Sequence, residues 1–407
     1  MRRSTCWLGL LAALSVPSAG AVNQEIRALF QPDPSQPQKN VFINKTPNSG
    51  YCARYPGQCA DNNIFSIELP VRFSSSRAIV PGEGIPLKAP ANWRRLTVTN
   101  KETQATETVE VRITGIGSEF VLSESAASLT GAPNEREGHD MLWTNYGWVA
   151  PADPCGYSGV AAYTSHTYRF FWKTPVEAPC TKVAAFRIPS IVFQSLDFAY
   201  ELRTPSPLGM SSGLYTGAIS YALGSGGDFD LGPLMVLEDG NLTLDFVLDV
   251  QHTLKADLPP GGEKVRLTPA GGWQSWLQEG RKPVRLFRDQ IFYISASTRF
   301  KMHLECEIAV NPYECMIQDR KTRRAVDLQV STTLPNGLTD VAGQPVKHRR
   351  LRTGASNAQQ FQPGFYVDRR PGVLHFEVPS SQMGFMLSPG NAGYYAGNVT
   401  VIWDSDL

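Results

Sequence analysis

Two aspartates stand one residue apart in a glycine-rich stretch, Asp228 and Asp230 in GGDFDLG. On a strand they would share a face. Paired carboxylates are what a glycosidase uses as acid and nucleophile, and oxygen ligands of this kind also suit Ca²⁺. A glycine-rich turn closed by aspartate side chains accounts for the same residues without chemistry, and that reading is preferred here. A secreted carbohydrate-active protein, either a glycosidase or a glycan-binding module, stands as the alternative. No other catalytic constellation is visible. There is no G-x-S-x-G, and Gly156-Tyr157-Ser158-Gly159 matches it only superficially. The run Gly224–Gly227 (GSGG) lacks the Lys-Ser/Thr ending of a phosphate-binding loop. The chain is expected to be no enzyme and to hold no cofactor and no metal.

Recognition chemistry is better represented. Trp143–Trp172 is dense in aromatics: Trp143, Tyr146, Trp148, Tyr157, Tyr163, Tyr168, Phe170, Phe171 and Trp172. Sugars stack on exposed aromatic faces, whereas most aromatics of a β-sandwich fill its core. Trp143, Tyr146 and Trp148 are therefore candidate receptor contacts to be weighed against packing. Lys45, Arg54, Arg94 and Arg95 are the basic candidates for an anionic receptor. The dense run Lys347-His348-Arg349-Arg350, with Arg352, reads as a solvated loop. His252 falls on the apolar side of its pattern and reads as a partly buried hinge residue, with a pH switch as the rival.

The cysteines and the N-terminus define the compartment. Arg2-Arg3, an apolar run from Trp7 to Val16 and Ala19-Gly20-Ala21 have the form of a secretory signal, so residues 1–21 are expected to be removed. Cys6 leaves with them, and six cysteines remain in three local pairs: Cys52/Cys59, Cys155/Cys180 and Cys306/Cys315. Six cysteines allow about 15 connectivities, of which sequential pairing closes the shortest loops. Metal binding is the rival reading. No spacing is C-x-x-C, and the six histidines do not cluster near the cysteines, so disulfides in an oxidising compartment are favoured.

These residues must be positioned by strands. Short alternating runs punctuated by Gly and Pro predict antiparallel all-β architecture. The length suggests two domains. Residues 22–250 hold 17 Lys+Arg against 23 Asp+Glu, whereas residues 251–407 hold 19 against 14. Neither balance is basic enough to imply nucleic acid as a partner. In Leu242–Leu258, Leu242, Leu244, Phe246, Leu248, Val250, Leu254, Ala256 and Leu258 occupy even positions and polar residues most of the odd ones. Seventeen residues would make a strand of roughly 55 Å, so two strands in tandem are expected, with a break and domain boundary near Gln251-His252. Val22–Gln38, with prolines at 32, 34 and 37, is expected to be a loose lead-in and no strand.

Strands are predicted in the second module at Thr253–Leu258, Arg299–Ala309, Glu314–Gln318, Val326–Thr333, Val373–Val378 and Ala396–Trp403, with Asp289–Ser297 as a possible seventh. The final run places Val399, Val401 and Trp403 on one face, and only Asp404-Ser405-Asp406-Leu407 follow it. An uncovered edge recruits other chains. The expectation is a sandwich that receives a strand from a partner, with Leu254, Ala256, Leu258, Val399, Val401 and Trp403 lining the groove.

Gly393–Trp403 (GYYAGNVTVIW) resembles the closing strand of chaperone–usher pilins. Pro207–Ile219 (PLGMSSGLYTGAI), Leu242–Leu258, Phe300–Ala309 (FKMHLECEIA) and Pro371–Val378 (PGVLHFEV) follow in the same order as landmarks of class 5 pilus tip initiators, the colonisation-factor tip adhesins and the cable-pilus initiator. The resemblance covers about half the mature chain. It implies two immunoglobulin-like β-sandwich domains in tandem: an N-terminal adhesin domain, residues 22–250, and a C-terminal pilin domain, residues 251–407, an incomplete fold lacking its last strand. It further implies a periplasmic chaperone, an outer-membrane usher, the N-terminal extension of a major pilin and a host glycan or surface receptor as partners. The location implied is the tip of a fimbria on the bacterial surface, reached through the periplasm. Two departures stand out. Tyr221–Gly232 carries two Asp and no Arg where those adhesins have basic residues, and Cys315 follows Cys306 by only nine residues.

Overall fold

The computed structural model describes residues 22–405, apart from 160, 238–239 and 312–313. The expected export signal (residues 1–21) and residues 406–407 lie outside the described residues. The architecture is predominantly β, with six short α-helices of four to seven residues among the described residues. Among the described residues no helix is long and apolar enough to cross a membrane.

Strands up to Val250 build one core. A 13-stranded sheet runs in the order Met235–Leu237, Phe73–Ser75, Ile191–Phe193, Thr106–Leu122, Arg94–Asn100, Gly213–Ala222, Asn241–Val250, Val22–Phe30 and Ile43–Asn44. Leu196–Arg203 and Thr167–Lys173 also pair with Thr106–Leu122, so this 17-residue strand is the spine. Gly115 and Gly117 let it pass under its neighbours: a Cβ would lie 2.4 Å from the Phe171 ring at the first and 2.5 Å from the Phe170 carbonyl at the second.

Val22–Phe30 corrects an expectation. It is a nine-residue strand, paired in parallel with Asn241–Val250 from Val22 opposite Leu242 to Phe30 opposite Val250. Ile26, Ala28 and Phe30 are buried on its inner face. The prolines at 32, 34 and 37 all follow its end, so they remove no ladder donor from it. Period-2 alternation within Val22–Phe30 outweighs the polar, proline-rich composition of the longer window.

Strands from Leu254 onward build a second core between two sheets. The eight-stranded sheet runs Leu254–Asp257, Leu286–Ala296, Val367–Val378, Ala325–Thr333, Glu314–Asp319 and Ala309–Asn311, with Arg349–Arg350 and Tyr395–Ala396 attached at its side. The four-stranded sheet runs Leu338–Asp340, Gln359–Pro363, Phe300–Cys306 and Val399–Ser405. Their facing side chains, among them Phe292, Ile294, Met302, Leu304, Val330 and Phe361, are buried together.

Alternation across Leu242–Leu258 breaks at Gln251–Thr253, between Asn241–Val250 and Leu254–Asp257. His252 holds this joint. Its Nε2 lies 2.9 Å from the Met210 carbonyl and its Nδ1 3.1 Å from Ser297 Oγ, so it touches both cores' flanks at once. Arg299 adds a second tie by donating to the Gly209 carbonyl at 2.9 Å.

Candidate functional site

The final strand begins just after a closely packed glycine. Gly397 packs against the Met316 carbonyl and Ile317, and the chain then runs as Val399–Ser405 antiparallel to Phe300–Cys306. Cys306 faces Val399, Leu304 faces Val401 and Met302 faces Trp403. Among the described residues this strand has a partner on one side only. Leu254–Asp257, at the edge of the facing sheet, likewise pairs only with Leu286–Ala296.

One ring contact relates the two single-sided strands. The Trp403 ring sits 5.5 Å from that of Phe292, on the strand next to the Leu254–Asp257 edge. Exposure marks this side as open. Met302 and Leu304 are 0% and 1% exposed, but Val399, Val401 and Trp403, on the paired strand, all remain partly exposed. Leu254 and Ala256 are partly exposed too, and Leu258 is 42% exposed. Trp403 Nε1 is shielded from water and has no hydrogen-bond partner. An inward face that stays wetted leaves apolar area that another strand would cover, worth about 25 cal/mol per Å².

The cysteines are joined as Cys52–Cys59, Cys155–Cys180 and Cys306–Cys315. The last ties Phe300–Cys306, of the four-stranded sheet, to Glu314–Asp319, of the eight-stranded sheet, bracing the sandwich beside the open strand.

Among the aromatic receptor candidates, the structure separates packing from display. Trp143 and Trp148 are 2% and 0% exposed, and Trp148 stacks on Trp172 with centroids 5.0 Å apart. These two tryptophans are core residues and present no face to a receptor, correcting the sequence expectation. The reason is that they bracket a loop and turn inward from both of its ends. Tyr146, between them, is 72% exposed.

The basic candidates are dispersed among different carboxylates. Arg94 Nη2 lies 2.6 Å from Asp228 Oδ1 and 3.9 Å from Glu177, with its guanidinium over the Tyr221 ring. Arg95, on the opposite face of the strand, pairs with Glu110 at 2.9 Å. Arg54 reaches Glu119 at 3.5 Å, and Lys45 is exposed after Ile43–Asn44. The carboxylates of Asp228 and Asp230 are taken up in the turn: Asp228 accepts from Ala222 N–H, and Asp230 from the N–H groups of Gly226 and Gly232. Burial pushes the Asp228 carboxyl up, but Arg94 and the Ala222 N–H outweigh it and hold the group below its usual range.

One buried cluster had almost no signal in the sequence. Arg169, 3% exposed, reaches Glu119 at 2.8 Å, Glu68 at 3.2 Å and Asp197 at 3.3 Å. Asp197 also accepts from the Tyr51 N–H and the Ser195 hydroxyl. Burial pushes the Asp197 carboxyl up to about 6, with Glu68 adding repulsion and Arg169 opposing both. Burial works against the charge of Arg169, yet Glu119 and Asp197 outweigh it and raise its pKa. The only hint was a cation in the aromatic run TYRFFWK. At the joint, burial lowers the His252 pKa despite its bond to Met210.

No protein-family model matches the chain, and no curated protein matches it. Among solved structures it is similar to CfaE, the adhesive subunit of CFA/I fimbria of enterotoxigenic Escherichia coli, at 10% identity over 94% of this chain and 92% of that one, with a TM-score of 0.27. A chaperone–tip adhesin complex of CFA/I fimbriae biogenesis matches at 10% identity over 95% and 97%, with a TM-score of 0.23. The CsuC–CsuE chaperone–tip adhesion subunit pre-assembly complex from archaic Csu pili of Acinetobacter baumannii matches at 8% identity over 94% and 98%, with a TM-score of 0.21.

Proposed function

We propose that this chain is a minor fimbrial tip subunit. Residues 22–250 form a receptor-binding domain and residues 251–407 a pilin domain that accepts a donor strand. The strand comes first from a periplasmic chaperone and then, at the outer-membrane usher, from the N-terminal extension of the next pilin, which starts assembly. The chain is exported through the periplasm and ends at the fimbrial tip. Addition of an extended strand to an exposed edge gives affinity through main-chain hydrogen bonds and specificity through alternate side-chain pockets.

One observation carries this reading: the inward residues of Val399–Ser405 are partly exposed while Phe300, Met302 and Leu304 of the strand paired with it are sealed. An edge strand of a finished sandwich shows unpaired backbone but a covered inner face. Here both the backbone edge and the inner face are available. Val22–Phe30 supports the tip position, because that segment is already paired along its whole length within its own sheet. A segment so committed is not free to be donated onward.

The test is the melting temperature of the whole exported chain with a synthetic peptide from the mature N-terminus of the major pilin encoded beside it. A peptide at about 100 times its Kd stabilises the fold by roughly 2.7 kcal/mol. A clear upward shift is expected. An unchanged melting temperature at saturating peptide would refute the acceptor role.

A further inference from the structure

The loop between Trp143 and Ala150 is held more firmly than a connection requires. Trp143 and Trp148 plug its two ends into the core. Between them, Asn145 and Tyr146 both have positive φ, 62° and 67°. A bulky side chain in the left-handed region is strained and persists only when its surroundings enforce it. The enforcing groups are all present. Lys182, 2% exposed, donates from Nζ to the carbonyls of Asn145 at 3.1 Å and Ala150 at 2.8 Å. Asp140 Oδ1 accepts from the Gly147 N–H at 3.1 Å, and the Tyr168 hydroxyl accepts from the Val149 N–H at 3.0 Å. Gly147 fits closely there, since a Cβ would meet Asp140 Oδ1 at 2.8 Å and the Tyr168 hydroxyl at 3.0 Å. Burial brings the Lys182 pKa down to about 8. Sinking an ammonium against two carbonyls is costly, and what it secures is the shape of this loop.

That shape lifts one side chain into solvent, Tyr146, 72% exposed. Tyr168, whose hydroxyl props the loop, also stacks beneath Tyr163 with centroids 5.9 Å apart and planes 20° apart. Tyr163 is 43% exposed. Buried Tyr168 thus carries the displayed Tyr163 ring on its face and, through its hydroxyl, the loop that displays Tyr146. Beside them stand Asp140, whose side chain is 33% exposed, and Arg136, 76% exposed and 4.0 Å from it.

We propose that Tyr146 and Tyr163 form a preorganised platform for a neutral pyranose, with Asp140 and Arg136 binding its hydroxyls and Lys182 positioning the loop. The inference rests on the adhesin reading and gives its receptor domain a site and a ligand class. Two rings are far short of the roughly 800 Å² per partner of a standard protein interface. A sugar ring offers the complementary form: a small C–H face rimmed by hydroxyls. Rigid tyrosines supply such contact area at low entropic cost, and preorganisation converts more of it into affinity. Charge selects the neutral class, because Glu135, Glu137 and Asp140 surround the single Arg136 on the adjoining helix Glu135–Met141. A sialylated or sulfated sugar would meet net repulsion.

The experiment is retention of the whole exported chain on polyacrylamide bearing lactose, cellobiose or 3′-sialyllactose. Binding is expected to at least one neutral polymer, at least tenfold above the sialylated one. Tyr146→Ala should lower it tenfold or more, and Tyr146→Phe should stay within twofold of the wild type because stacking survives. Lys182→Met should weaken binding, with Lys182→Gln, which keeps a donor, falling between. No retention on either neutral polymer, preference for the sialylated one, or indifference to Tyr146→Ala each overturns the proposal. So does Tyr146-dependent adhesion confined to a fibronectin-coated surface, which would mean a protein ligand. The donor-peptide melting shift separates the two levels: a shift without sugar binding removes this site and leaves the tip-subunit reading standing.

Discussion

Val401→Ala and Leu304→Ala, directly opposite one another across the ladder, should behave differently because only one of them faces a finished core. Leu304 is 1% exposed, so its truncation leaves a cavity and costs about 2–5 kcal/mol whether or not a donor strand is bound. Val401 is still partly wetted, so removing two methyls from the unfilled chain costs only about 1 kcal/mol. Once a donor strand covers it, the same methyls are fully buried and their loss costs roughly 1 kcal/mol more. Linkage requires that increment to appear as a weaker peptide, about fivefold in Kd. Urea unfolding of residues 22–407, with and without pilin peptide, measures both legs, and a peptide titration of each variant closes the cycle. The reasoning fails if Val401→Ala costs as much as Leu304→Ala without peptide, because the core would then already be closed at that strand. It fails equally if the peptide binds Val401→Ala as tightly as the wild type.

Asp197 sets a pH dependence of predictable sign. Its folded pKa of about 6 lies above its unfolded value, so its stabilising share is complete below about pH 4 and lost as pH rises through 6. The loss is about 3 kcal/mol; the stability difference between wild type and Asp197→Asn, followed by urea unfolding from pH 4 to 7, should fall accordingly, and a flat difference contradicts it. Arg169→Met should cost about 3–5 kcal/mol at pH 7, because it strands Asp197, Glu68 and Glu119 together. Removing Cys155–Cys180, which spans 25 residues, should cost about 3.5 kcal/mol against about 2.4 for Cys52–Cys59, which spans 7, with equal losses counting against a loop-entropy origin. Asp228→Asn should loosen the 222–228 turn by about 1–2 kcal/mol, read by thermal unfolding, and leave hydrolysis of aryl glycosides at the buffer blank; turnover that vanishes in the variant would revive the glycosidase reading.

Strand faces were legible in the sequence because a period of two is a local property. Leu242, Leu244, Phe246, Leu248 and Val250 point inward as their spacing requires, and the break near His252 falls where a single strand would outrun one sandwich. What alternation leaves open is who covers the face. Trp143 and Trp148 looked available to a receptor because nothing within the local sequence reveals that the loop between them turns inward at both ends. Val22–Phe30 was obscured by prolines that lie outside it, and its partner is more than 200 residues away in the chain. Arg169 required the convergence of Glu68, Glu119 and Asp197, which no spacing announces.

The same limit applies to the strand pair at the joint between the two cores. Leu242–Val250 and Leu254–Leu258 keep the same even-position phase on either side of the break at Gln251–Thr253, yet the first is sealed and the second is not. Leu248 and Leu254 are the same residue type in the same phase of the same alternation. Leu248 lies between Gly213–Ala222 on one side and Val22–Phe30 on the other, while Leu254 has Leu286–Ala296 on one side and no strand on the other among the described residues. Hydrophobic pattern therefore declares which side of a strand seeks cover, and only the neighbours decide whether it is found. A second strand fails in the same way at Val399–Ser405, and Trp403 links the two through Phe292. On the function proposed above, one donated strand would cover both edges at once.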